Sequence, residues 1–229
     1  MAQTWTDLLF AHWPVAPTAL RGRVPPLLEI ERYDGQAWLG VIPFGMQGVR
    51  PRGIPSLPWL SRFLELNVRT YVTLNGRPGV YFFSLDASNP LAVAAARRCF
   101  SLPYYRARMQ WRTRDGVVEY RSQRTHRAAP PAALSADYRS CGAPFLAGPG
   151  TFAEWATERY RLYTADARGT IWTAEIRHPR WSLQEAEAEI ALNTMTQGLG
   201  VTLTATAPVL QFARRQDVRV WPLRRAIAR

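Results

Sequence analysis

From Glu65 to Val72 the chain alternates without a break: Leu66, Val68, Thr70 and Val72 on one side, Glu65, Asn67, Arg69 and Tyr71 on the other. A period of two belongs to a β-strand, whose successive side chains point to opposite faces. Similar segments recur in pairs around turn residues. Leu28 to Tyr33 and Ala37 to Phe44 flank Asp34-Gly35, and Leu66 to Leu74 and Gly79 to Asp86 flank Asn75-Gly76. Tyr105 to Arg112 and Val117 to Thr125 flank Asp115-Gly116, and Tyr160 to Thr164 and Thr170 to His178 flank Arg168-Gly169. Each pair reads as a hairpin, because Asn, Asp and Gly accept the positive φ that tight two-residue turns demand. A last strand is expected over Val209 to Trp221, bent where Arg214-Arg215-Gln216-Asp217 interrupts its apolar character.

Helical signals are fewer. Ser88-Asn89-Pro90 offers a cap and a first-turn proline to Leu91–Phe100, with Arg97 and Arg98 in the last turn, where the helix dipole favours cations. Thr151-Phe152-Ala153-Glu154 is a capping box that opens a short helix ending near Glu158, and a third is expected near Asn193 to Leu199. Proline marks two loops, Val49 to Trp59 and Ala128 to Ala133; the first reads either as a semi-rigid flap carrying Arg50, Arg52 and Trp59 or as a plain surface loop. The elements make the chain mainly β, a β-rich α+β protein.

Length and composition narrow the setting. A chain of 229 residues without internal repeats or linkers is expected to form one domain over 1–229. No apolar run reaches the ~20 residues that cross a bilayer, and the first residues carry no secretory signal, which points to the cytoplasm and away from the membrane. Cys99 and Cys141 stand apart from each other and from any histidine and read as reduced thiols. The formal charge of +12 comes from 29 arginines and no lysine. Their spread from Arg21 to Arg229 argues against a phosphate-tracking stripe, so nucleic acid is not the favoured partner.

Absent motifs exclude several chemistries. A phosphate-binding P-loop needs its lysine, and neither a G-x-G-x-x-G turn nor a G-x-S-x-G elbow occurs. His12, His126 and His178 lack the spacing of zinc ligands, so neither a metal nor another cofactor is expected.

The polar ladder leaves two options. Facing into a closed barrel, Arg69 becomes a buried guanidinium suited to hold a carboxylate in a bidentate fork; facing outward, the strand is merely solvated. Val80 to Leu85 is apolar on both faces, which asks for cover on both: the Leu91–Phe100 helix on one, a barrel interior on the other. Tyr81 would then share the chamber with Arg69, unless it simply packs in the core.

Several stretches carry a resemblance. His12-Trp13-Pro14-Val15, Leu39 to Phe44, Asn67 to Val72, Gly79 to Ala87, Leu102-Pro103-Tyr104-Tyr105 and Thr157 to Tyr163 closely resemble the YqjF-like bacterial domain of unknown function, a branch of the acetoacetate decarboxylase superfamily. The resemblance implies a conical, largely antiparallel β-barrel around a central pocket, and a homo-oligomer. The superfamily's imine-forming segment, Gly-Arg-Glu-x-x-Gly-Phe-Pro-Lys-Lys, is met here by Ala96 to Tyr105. Arg97 and Pro103 match, but Tyr104 stands where the reactive lysine belongs, and a carboxylate of those enzymes aligns loosely with Asn67. A phenol cannot form a Schiff base, so the fold is expected without its reaction.

The resulting chamber is expected to hold Asn67, Arg69, Tyr81, Arg97 and Tyr160 as binding residues, with Tyr104 as proton donor and Glu158 as general base. The alternative packs the tyrosines in the core, ends a helix with Arg97 and pairs Glu158 with an arginine. Function is thus expected to be lyase or isomerase-like chemistry on a small oxo-acid or related anion, or else non-catalytic binding or sensing of a small molecule.

Overall fold

Thirteen strands among the described residues join one hydrogen-bonded sheet. The computed structural model describes residues 1–50, 61–100, 102–166 and 168–226, without the side chains of 95, 99 and 100. The strands are β1 (Ala2–Val15), β2 (Glu29–Ile30), β3 (Ala37–Arg50), β4 (Phe63–Leu74), β5 (Arg77–Ala87), β6 (Tyr104–Arg114) and β7 (Val117–Arg124). They continue with β8 (Ala133–Leu146), β9 (Arg161–Ala165), β10 (Ile171–Arg177), β11 (Ser182–Asn193), β12 (Val209–Val220) and β13 (Arg224–Arg225). Helices α1 (Pro17–Arg21), α2 (Pro90–Phe100) and α3 (Phe152–Thr157) are short. Most of the proline-rich segment expected as a flap, 51–60, lies outside the described residues.

The neighbours run β13-β10-β9-β5-β6-β7-β8-β11-β12-β1-β3-β4-β2, with β10 also paired to β12 and β4 to β5. These extra pairings close the sheet on itself twice. Strands β12, β1, β3, β4 and β5 form a shared wall; β9 and β10 complete a ring with it, and β6, β7, β8 and β11 complete a larger one. Each end strand of the wall serves both rings by dividing its length. β5 meets β9 at Val80 and Tyr81 and β6 from Leu85 to Ala87, while β12 meets β11 at Gln211 and Phe212 and β10 at Arg219 and Val220. The mainly β, barrel-like architecture implied by the sequence is present, as two closed rings, antiparallel except where β5 runs parallel to β6 and to β9, rather than a single simple cylinder.

Alternation assigns the wall's two faces. On β4, Leu66, Val68 and Val72 enter the main apolar core with Val41, Tyr120, Tyr138 and Phe212, filling the larger ring. The Tyr120 hydroxyl donates to the Glu65 carbonyl at 2.8 Å and the Tyr138 hydroxyl to the Asp7 carbonyl at 2.9 Å, so both buried phenols are satisfied. Glu65, Asn67 and Arg69 face the smaller ring, which is hollow.

Two bulges keep this arrangement in phase. Asp7 adopts φ 48° where the β1–β3 register shifts, so Trp5 before it and Leu8 and Phe10 after it lie on one side. Phe83 is extra on β5, where Val68 pairs Ser84 but Arg69 pairs Phe82. Val80, Phe82 and Leu85 consequently all turn to the hollow ring.

Three of the four expected hairpins form, with Asn75-Gly76 and Asp115-Gly116 at positive φ in their turns. The first does not. Asp34-Gly35 makes its turn, but only Tyr33 and Gln36 bridge across it, because Glu29 and Ile30 pair with β4 instead. Strands β1, β8 and β11 escape the sequence pattern, and the helix expected near Asn193 shrinks to a 3-10 turn, Gln197–Leu199, ended by Gly200 at φ 67°. The polar run in β12 does not end that strand, which stays paired to β1 along most of its length. Asn89 caps α2 through its Oδ1, and Thr151 caps α3 through its hydroxyl. Helix α2 is placed differently from expectation: it connects the parallel strands β5 and β6, so it crosses over the sheet, and it lies over the cavity rather than over the outer face of β5.

Candidate functional site

The smaller ring encloses a cavity of about 480 Å³, to which all seven of its strands and helix α2 contribute. Most of its wall is apolar, with Trp5, Phe44, Phe82, Leu102, Ile176 and Trp181 prominent. The polar groups concentrate on β4, where a two-residue period puts Glu65, Asn67 and Arg69 in a row.

Arg69 is 8% exposed and has no carboxylate partner among the described residues. Its Nη2 donates to the Ala156 carbonyl at 3.1 Å and to the Tyr71 hydroxyl at 3.3 Å, while its Nε is buried without a partner. Tyr71 in turn lies 2.5 Å from His12 Nε2. Burial and the Arg69 charge hold His12 well below its usual value, so the imidazole is neutral. The Tyr71 hydroxyl accepts from Arg69 and shares a hydrogen bond with His12 Nε2, which fixes the guanidinium from behind. Arg159, also on the cavity wall, differs: it is ion-paired to Glu31 at 2.5 Å and its Nε donates to the Trp155 carbonyl. A buried charge without a counterion is costly, and Arg69 therefore has the strongest electrostatic demand for an anion in this chamber.

Glu65 faces the same space. Burial raises its carboxyl to about 8, against the lowering effect of the Tyr104 hydroxyl, which donates to Oε2 at 2.9 Å. At neutral pH the carboxyl holds a proton, and with Oε2 accepting from Tyr104 that proton belongs on Oε1. Burial together with Glu65 keeps the Tyr104 phenol well above its ordinary value, so it stays a donor. Asn67 lies between the acid and the guanidinium, its Oδ1 buried and unpartnered.

Of the residues proposed from sequence, Asn67, Arg69 and Tyr104 converge on the cavity. Four do not. Tyr81 has the opposite strand phase from Val80 and Phe82 and lies with Phe83 and Arg97 in an outer depression. Arg97 is exposed and donates to the Tyr104 carbonyl at 2.8 Å. Glu158 ends α3, where its two oxygens accept from the Trp181 backbone N–H and the Tyr160 hydroxyl. Tyr160 is 41% exposed and stacks on His178. Glu65 is the important omission; its place four residues before Arg69 in the same polar ladder was the available signal. Arg159, His178 and Trp181 reach the cavity from connections whose course no periodicity reveals.

With this geometry in place, comparison with known proteins is informative. A family profile described as an uncharacterized conserved protein, DUF2071, matches residues 2–217. The chain belongs to the DUF2071 family. The uncharacterized protein YqjF of Bacillus subtilis is 48% identical over 225 residues, covering 98% of this chain and 92% of that one. Acetoacetate decarboxylase from Legionella pneumophila has a similar structure, with TM-score 0.65 at 10% identity over 99% of this chain and 88% of its own. The enduracididine biosynthesis enzyme MppR, complexed with pyruvate, gives TM-score 0.66 at 11% identity over 100% of this chain and 91% of its own. An acetoacetate decarboxylase-like enzyme from Sphingomonas wittichii gives TM-score 0.64 at 11% identity, covering 100% and 93%. This DUF2071 member therefore has the acetoacetate decarboxylase-like fold. No helix among its described residues is long and apolar enough to cross a membrane.

Proposed function

We propose that the cavity binds an oxo-acid or related organic anion at Arg69 and acts on it by proton transfer, in a lyase or isomerase-like reaction that uses no side-chain imine. The observation that carries this reading is the buried, uncompensated Arg69 guanidinium on the same strand face as the buried Glu65 carboxyl, both lining the cavity. The guanidinium would fix the anionic group. The Glu65 proton would then go to a carbonyl or enolate oxygen as charge develops there, with Tyr104 holding the acid in place. Glu158, expected from sequence to be the base, has both oxygens engaged away from the cavity, so the acid-base role is assigned to Glu65. Similarity in fold to MppR complexed with pyruvate is compatible with an oxo-acid, and the absence of lysine sets this chain apart from imine chemistry.

The mainly apolar wall supports a second reading, a non-catalytic binder of the same anion. Proton NMR in D2O separates the two. A panel of 2-oxo and 3-oxo acids is incubated with the protein and exchange at the carbon beside the carbonyl is followed. Catalysis predicts enhanced exchange of at least one acid, lost in Glu65→Gln and in Arg69→Met. Binding of an acid with exchange no faster than in buffer favours the binder.

A further inference from the structure

The distribution of polar and apolar surface says what shape of anion the cavity takes. Along β4 the lining runs from Phe63 through Glu65 and Asn67 to Arg69. The six steps of extended strand from Phe63 to Arg69 span about 20 Å at ~3.3 Å per residue. Arg69 marks the closed end, against the Ala156 carbonyl and the Tyr71 ring. At the other end stand Arg50 and Leu91, both exposed, so the chamber opens there, beside α2. A volume of about 480 Å³ equals roughly sixteen waters at ~30 Å³ each. A four-carbon acid seated at Arg69 would leave most of that space as water against aromatic and aliphatic walls.

We infer that the anion is an elongated carboxylate, with its head group at Arg69 and a medium-chain alkyl or aryl-terminated tail running past Phe82 and Trp181 toward α2. This rests on the anion-binding reading above and narrows its substrate class. The head group meets two polar groups of the lining: the Arg69 guanidinium, which has no carboxylate partner among the described residues, and the Asn67 amide two residues before it on β4. A hydroxyl or enol a few bonds from the carboxylate would bond to the second. The tail meets Phe44, Phe82, Leu102, Ile176 and Trp181, then Leu91 and Ala92 of the helix.

Isothermal titration of the full chain with butanoate, hexanoate, octanoate, 3-hydroxyoctanoate and 1-octanol tests this. Each buried methylene is expected to tighten binding about fourfold, the equivalent of about 0.8 kcal/mol, so octanoate should exceed butanoate on the order of a hundredfold. Octanol should bind at least about tenfold more weakly than octanoate for want of the charged contact. The 3-hydroxyl should improve affinity several-fold, a gain absent in Asn67→Leu.

If acids of every length bind alike and Arg69→Met abolishes all of them, the anchor stands and the tail inference is overturned. If octanol equals octanoate and Arg69→Met changes neither, the anion-binding reading itself is overturned. Absence of binding by every probe rejects the elongated class. Arg69→Lys, which keeps the charge, guards against misfolding of the methionine variant: it should retain the length dependence with weaker affinity throughout.

Discussion

Glu65 shows how one residue's surroundings set its chemistry. An exposed glutamate would be ionised at neutral pH, whereas burial here raises the carboxyl from 4.5 to about 8. Between those values the folded protein holds a proton that the unfolded chain has released, so this site's contribution to stability is fully present below about 4.5 and is lost as pH rises through about 8. Urea denaturation at about pH 5 and pH 9 should show wild type losing a few kcal/mol relative to Glu65→Gln, whose profile lacks this component. Octanoate affinity should fall over the same upper range, because ionised Glu65 repels the anion, and the glutamine variant should remove that dependence. Equal profiles for the two proteins would contradict the buried acid. The residue type and its strand phase are legible in the sequence; its protonation is not, because the groups that surround the carboxyl, Phe44 paired with it on β3 and Tyr104 on β6, reach it only through the tertiary fold.

At the scale of elements, single residues keep strands in phase. Asp7 holds a left-handed conformation, its carbonyl bound by Tyr138 and its carboxylate by Arg214 at 2.8 Å. Asp7→Val places a β-branched residue at positive φ and should cost about 1–2 kcal/mol, while Asp7→Gly keeps the bulge and should cost less. Chemical denaturation compares them, and a valine variant as stable as the glycine one would show that the bulge is not held by Asp7. Strand β7 is tied to β5 by Arg124, whose Nε and Nη2 each reach an Asp86 oxygen at 2.7 Å, with side-chain exposures of 5% and 0%. Removing one partner strands a buried charge, so Asp86→Ala should destabilise by about 3–5 kcal/mol, and Asp86→Leu combined with Arg124→Met should recover much of it. Neither the bulge nor this pair is visible in local sequence. Hairpin turns are, because Asn-Gly and Asp-Gly carry their conformational preference within two residues.

For the molecule as a whole, the seams that close the cavity ring are its weakest part. Strand β10 meets β12 at two residue pairs, Ile176 with Val220 and Arg177 with Arg219, whereas β1 and β12 pair from Ala2 through His12. Short seams open more easily than long ladders. Hydrogen exchange should therefore be faster at β10 and at 219–226 than at β1 and β3, and octanoate should slow it by bridging the cavity walls. Uniform protection across both groups of strands would oppose this picture. The sequence signals the β-rich class and the resemblance supplies the closed fold, but the double use of β5 and β12 depends on register between segments 19 to 82 residues apart.

The residues by themselves determined a lysine-free chain of alternating strands with tight turns, one of which carries acid, amide and guanidinium on a single face. Period and turn chemistry act over a few neighbouring residues, which is why these features can be read locally. Tertiary structure decided which face of that strand became hollow, turned Tyr81 out and brought Tyr104 to Glu65. Those outcomes depend on strand phase after a bulge, on the helix that crosses between parallel strands, and on which distant side chains exclude water from the acid. Each is a relation between remote segments, set by packing rather than by any segment's own preference.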